Sequence, residues 1–74
     1  CIINSKSLIE HDAVIEDHCH ISTRSTVNGG VIIKKNSFIG SCSVFRQNLK
    51  IGKNCFVNAN LFLNKNLKDN SKIL

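Results

Sequence analysis

A chain of 74 residues with a formal net charge of +5 makes one small domain at most, and a core this small usually needs staples, metals or partners. No run approaches the ~18 apolar residues of a membrane span, and no charged start, apolar middle and small-residue cleavage site marks a signal peptide. The only aromatics besides histidine are four Phe, with no Gly/Arg-rich stretch, so nucleic acid binding rests on charge alone and is not expected; the basic balance fits acidic surfaces or the phosphates of a small ligand.

From Ile3 the chain divides into eleven six-residue units: INSKSL, IEHDAV, IEDHCH, ISTRST, VNGGVI, IKKNSF, IGSCSV, FRQNLK, IGKNCF, VNANLF and LNKNLK. Each opens on Ile, Val, Leu or Phe. A helix would space its apolar residues by three and four. A six-residue period fits short strands separated by corners. The fifth position is mostly small: Ser7, Ala13, Cys19, Ser25, Val31, Ser37, Ser43, then Leu49, Cys55, Leu61 and Leu67. Positions five and one are two apart along a strand and share its inner face. Position four is often Asn (Asn36, Asn48, Asn54, Asn60, Asn66) or Gly30, residues that tolerate the left-handed backbone of a tight corner. No Pro interrupts the run, and a single phase is expected from Ile3 to Lys68.

Units of this kind resemble the hexapeptide repeat, a left-handed parallel β-helix in which three units make one triangular coil of eighteen residues, so residue n is expected beneath n+18. The outward columns then read Ile2, His20, Phe38, Phe56; Leu8, Thr26, Val44, Phe62; and Val14, Ile32, Lys50, Lys68. Two of the three are apolar over several coils, which argues for a partner surface and for self-association, a ring of three suiting a triangular prism. Cover by a C-terminal segment is the bland alternative. The second unit places His11 and Asp12 at a corner, in columns His11, Gly29, Gln47, Lys65 and Asp12, Gly30, Asn48, Asn66. Gly29 and Gly30 leave bare backbone N–H groups beside the histidine, donors suited to an acyl oxygen or a phosphate.

Other features are plainer. His18, Cys19 and His20 could suggest a metal, but Cys19 points inward and the other two do not, so no metal is expected. His18 is a solvated corner residue. Lys35 and Lys53 share a column and either attract phosphates or solvate a face. Cys1, Cys19, Cys42 and Cys55 contain no CxxC and read as free thiols, which places the protein in a reducing cytoplasm.

The hexapeptide-repeat resemblance implies a left-handed parallel β-helix of three to four triangular coils here. Most proteins with this repeat are acyltransferases. The stretches IEHDAVIEDHCHIS, TVNGGVIIKKNSFIGSCSVF and IGKNCFVNANLFLNKNLKDNS are similar to the sialic acid O-acetyltransferase family, whose relatives N-acetylate UDP-amino sugars. The resemblance implies acetyl-CoA as co-substrate, a sugar acceptor, a homotrimer with active sites between subunits, and no metal. It matches His11 to the general base and Asp12 to its acidic neighbour, where many relatives have Glu. It matches His20 to a second histidine near the acetyl group. Gly29 corresponds to a glycine whose backbone contacts acetyl-CoA, and Ala59 to a small residue against the coenzyme. It also implies that residues 1–74 are the β-helix domain of a longer protein, without the sugar-nucleotide domain or the Gly-x-Pro-Ala tail; the lack of any Met agrees. The rival expectation is a non-catalytic β-helical oligomerisation module. A γ-type carbonic anhydrase on the same fold would need three metal-binding histidines in an inter-coil spacing that this chain lacks.

Overall fold

The computed structural model describes residues 2–74; Cys1, expected as a free thiol, lies outside the described residues. The described chain forms twelve strands of two residues each: β1 (Ile2–Ile3), β2 (Leu8–Ile9), β3 (Val14–Ile15), β4 (His20–Ile21), β5 (Thr26–Val27), β6 (Ile32–Ile33), β7 (Phe38–Ile39), β8 (Val44–Phe45), β9 (Lys50–Ile51), β10 (Phe56–Val57), β11 (Phe62–Leu63) and β12 (Lys72–Ile73). All pairings are parallel. Strands β1, β4, β7, β10 and β12 stack into the first wall; β2, β5, β8 and β11 into the second; β3, β6 and β9 into the third. The result is a triangular, all-β parallel β-helix of about four coils at the ~4.8 Å strand spacing, consistent with the left-handed hexapeptide-repeat fold.

The corners explain why such short strands suffice. Position four has a left-handed backbone at every corner from Lys6 (φ 61°) to Asn60 (φ 61°), with Gly30 at φ 73°. The turn closes by a hydrogen bond from the position-five N–H to the position-two carbonyl, as in Ala13 to Glu10 (3.2 Å) and Ser25 to Ser22 (3.3 Å). A positive φ at the third residue of such a turn is the type II arrangement. Corners also stack. The position-four N–H reaches the position-three carbonyl one coil below, as from Asn48 to Gly29 (2.9 Å) and Asn36 to Asp17 (3.1 Å). Lys6, His18, Arg24 and Cys42 adopt the conformation without the tolerance of Asn or Gly, at about 1–2 kcal/mol each.

The core lies inside the triangle. Ile21, Val27, Ile33, Ile39, Phe45, Ile51 and Val57, all at position one, are fully buried. Each contributes about 1.5–3 kcal/mol by leaving water. The small fifth position has a second task. Ser25 Oγ donates to the Gly40 carbonyl (2.7 Å), Ser37 Oγ to Gly52 (2.9 Å), Ser43 Oγ to Asn58 (2.8 Å), and Cys19 Sγ to Lys34 (3.2 Å). The hydroxyl or thiol thus satisfies a corner carbonyl one coil above that faces the core. Cys19 and Cys55 are buried free thiols and Cys42 an exposed one.

The last coil departs from the expected phase. Phe56 pairs with Lys72 and Val57 with Ile73, a step of sixteen residues, and Leu67 rather than a residue at 69 stacks on Ile51. The four-residue interval from Leu63 to Leu67 is responsible: the next large apolar residue arrives two early and the chain takes the shorter path. Lys68 therefore leaves the column of Val14, Ile32 and Lys50. The corner above Asn48 has no left-handed residue at Asn66, and the corner above Asn54 falls two residues early at Asn70, whose N–H donates to the Lys53 carbonyl (2.8 Å). Asn66 is used differently: its Oδ1 accepts the Lys50 N–H at 2.8 Å.

Gly40 shows how closely coils approach. A Cβ there would lie 2.5 Å from the Ala59 nitrogen and 2.6 Å from the Asn58 carbonyl carbon, both backbone atoms that cannot swing away. Gly40→Ala should therefore cost about 1–3 kcal/mol or prevent folding, read as a lower urea midpoint. An unchanged midpoint would contradict this packing.

Candidate active site

His11 and Asp12 occupy positions three and four of the corner joining β2 to β3. The side chains project from the prism, with relative exposures of 91% and 80%. His11 Nε2 lies 3.8 Å from Asp12 Oδ1, an ion-pair distance longer than a hydrogen bond. Asp12 holds the left-handed conformation at φ 64°, one that Asp tolerates. Its place beside the imidazole thus follows from the same rule that builds every corner.

Gly29 and Gly30 lie one coil above. The Gly30 N–H donates to the His11 carbonyl (3.3 Å), fixing the two coils together at this point. A Cβ on Gly29 would sit 3.1 Å from that carbonyl oxygen. At Gly30 the positive φ and the Asn48 carboxamide, which occupies the space a Cβ would take, both require glycine. Asn48 therefore leans over the glycines from the coil above.

Position-three N–H groups stand outside both the wall ladders and the corner stack. At the corner leading into β7, the Lys35 N–H donates to Glu16 Oε1 (3.2 Å). At the corner leading into β10, the Lys53 N–H donates to Asp69 Oδ1 (2.8 Å). Where an acidic side chain can reach, a carboxylate oxygen fills this site. The Gly29 N–H has no acceptor among the described residues. An unused donor of a kind that takes anionic oxygens thus lies one coil from the His11 imidazole.

His20 is placed elsewhere. It lies on β4, on the first wall, whereas His11 sits at the corner between the second and third walls. In a triangle that corner is opposite the first wall, so one chain does not bring the two histidines together. His20 Nε2 accepts from Asn4 Nδ2 at 3.2 Å. Its ring packs on Phe38 at 5.0 Å and 35°, and Phe38 stacks on Phe56 at 5.1 Å and 9°. Ala59 is at the corner between the first and second walls, on a different edge from both histidines, its N–H bonded to Asn58 Oδ1 (2.8 Å). Of the five expected site residues, one chain therefore assembles three: His11, Asp12 and Gly29. The aromatic column was visible as Ile2, His20, Phe38, Phe56, but the Asn4 contact was not. It joins residues sixteen apart, and only the eighteen-residue register, offset by two, would have pointed to it.

Among the described residues no cavity is enclosed and no group of three His, Cys, Asp or Glu side chains could hold a metal ion. His18 sits at its corner with φ 60° and is exposed, and Cys19 is buried, so these neighbours diverge. No helix of the described chain is long and apolar enough to cross a membrane.

The separation of the histidines gives a direct check. Phe38→Leu should move the His20 ring-proton NMR resonances, by removing the ring current above them, and leave those of His11 in place. Equal movement of both would contradict the opposed placement.

Residues 12–47 match the family described as "Bacterial transferase hexapeptide (six repeats)". No curated protein and no solved structure matches the chain. The matched segment begins within the His11–Asp12 corner and contains His20 and Gly29. The same six-residue unit continues on both sides of it, from Ile3 to Leu63. Repeat, register and corner geometry together give the chain the hexapeptide-repeat β-helix fold.

Proposed function

We propose that this β-helix is the catalytic part of an acetyltransferase that moves the acetyl group of acetyl-CoA to an amino or hydroxyl group of a sugar, nucleotide-linked or sialic-acid-like. The observation that carries the reading is the His11–Asp12 pair beside the unused Gly29 N–H. The match to a transferase repeat over 12–47 supports the broader class, and the resemblance of the motifs supports the sugar acceptor.

The residues divide the work as follows. The His11 imidazole takes the proton from the acceptor nitrogen or oxygen as that atom attacks the acyl carbon. Asp12, 3.8 Å away, favours the protonated ring that results. The Gly29 N–H faces the acyl oxygen as negative charge grows on it. Acetyl-CoA supplies the activated acyl group as a thioester, whose C–S bond breaks as the new bond forms.

The reading also makes the protein a homotrimer. His20, Phe38 and Phe56 form one apolar outer wall, and Leu8, Val44 and Phe62 lie on the next, with Leu8 and Phe62 strongly exposed. A second copy placed against the open His11 corner would supply the missing wall and bring its own His20 toward the pair. His20 and Ala59 then belong to the coenzyme side of a composite site. The free thiols at Cys19, Cys42 and Cys55 fit a cytoplasmic setting. The same apolar walls favour the second reading, a non-catalytic oligomerisation module, in which association survives without chemistry.

Two outcomes decide between them. His11→Ala should lower kcat for transfer from acetyl-CoA by about 10²- to 10⁴-fold with the circular dichroism spectrum unchanged. Phe56→Glu should convert a trimer to monomer in sedimentation velocity and remove activity with it, because the site would lose its second wall. A trimer with no turnover of any sugar acceptor would instead establish the assembly module.

A further inference from the structure

The edge that carries His11 has an ordered charge pattern. Its corners fall at residues 10–12, 28–30, 46–48 and 64–66, one above another. The lowest corner holds Glu10, His11 and Asp12. The next holds Asn28, Gly29 and Gly30. Above it come Arg46, Gln47 and Asn48, and then Lys65. The sign therefore reverses along a single edge, acid below and base above, across a glycine notch.

The pattern is part of a wider asymmetry. Four of the five acidic residues (Glu10, Asp12, Glu16 and Asp17) lie in the first coil, and only Lys6 of the ten Lys and Arg residues does. The notch lies where the two signs meet. Asn28, between Glu10 and Arg46 in the same column, is turned away: its Nδ2 donates to the Phe45 carbonyl at 2.8 Å. Glu10 and Arg46 are two coils, about 10 Å, apart and do not pair. Arg46 is exposed and forms no ion pair with any described residue. It is the one arginine on this edge; Arg24 lies on another. A guanidinium offers paired donors matching a carboxylate or phosphate.

We infer that Arg46 is a specificity residue that selects an acceptor carrying an anionic group, carboxylate or phosphate, about two coils from the atom acetylated at His11. The proposal rests on the reading of His11 as general base. The acceptor lies along the edge over Gly29, which has no side chain to obstruct it, while the Asn48 carboxamide fills the space over Gly30. Its reacting amine or hydroxyl meets the imidazole in the acidic lower coil. Its anionic group meets the guanidinium in the basic coil above. Gln47, in the same corner as Arg46, offers a carboxamide beside the anionic group. The field of the edge also orients the molecule, since the reversed pose would put its anionic group against Glu10 and Asp12.

Acetylation by the protein is measured with glucosamine, glucosamine 6-phosphate, N-acetylneuraminate and a UDP-linked amino sugar, in wild type, Arg46→Glu and Lys6→Glu. Lys6→Glu makes the same charge change on a different edge. In wild type the anionic acceptors should have the higher kcat/KM, and the phosphate and carboxylate arms show which group is read. Arg46→Glu should raise KM for the preferred anionic acceptors by about tenfold or more, with KM for acetyl-CoA and kcat for glucosamine unchanged. Lys6→Glu should leave all of these in place. A rise in KM for acetyl-CoA, or an equal loss with glucosamine, would overturn the assignment. Absence of turnover with every acceptor, or full activity in His11→Ala, would overturn the acetyltransferase reading, and the role of Arg46 with it.

Discussion

The structure depends on one backbone conformation repeated every six residues. A left-handed residue at position four lets three short strands turn through a triangle and return in register. Its N–H bonds the corner below, so each turn is locked to the previous one as soon as it forms. Two-residue strands would be marginal alone. Here they add to a ladder that is already aligned, and the position-one side chains fall over one another without further adjustment. The fifth position completes the corner from inside by satisfying its carbonyl with a Ser or Cys. Core packing, corner hydrogen bonding and coil spacing are consequences of the same six-residue rule.

Much of this was legible because the rule is local. The walls, the inward pattern and the corner positions follow from counting by six, and Asn or Gly at position four marks the conformation in half of the corners. The exceptions show what counting misses. Lys6, Arg24 and Cys42 adopt the left-handed corner although nothing in their chemistry announces it; the stack imposes it. The shortened last coil was also missed. LNKNLK fits the period when only its first residue is scored, since Leu63 opens it and Leu67 can stand as its fifth residue. The fold instead treats Leu67 as the next first residue, because stacking on Ile51 buries it to 8% exposure. Burial of a large side chain outweighed the length of the unit.

The candidate site was legible to a different depth. The column of His11 and Gly29, and that of Asp12 and Gly30, required only the eighteen-residue register. That the Gly29 N–H is unused could not be read from sequence, because it depends on which side chains reach neighbouring corners. Lys35 and Lys53 show the same donor occupied by Glu16 and Asp69. His20 was associated with His11 by the family resemblance alone, and the nine residues between them are informative: one and a half coil sides carry the chain from a corner to the opposite wall. That spacing keeps the two histidines on opposite sides of a single copy.

That geometry ties chemistry to assembly. A histidine with 91% of its side-chain surface exposed, 3.8 Å from a carboxylate that is 80% exposed, stands in water, which screens the pair. The Gly29 N–H likewise competes with solvent for any developing negative charge. Both become stronger when water is excluded. Within one chain nothing encloses the corner, and the apolar wall that could do so faces the other way. In the proposed trimer, the wall of one copy against the corner of another would solve both problems at once: it would bury the stacked rings of Phe38 and Phe56, and it would lower the dielectric around His11. In the proposed trimer, the half-buried aromatic column and the exposed His11–Asp12 pair would be complementary halves of one site, separated across the prism so that neither would operate before the copies meet.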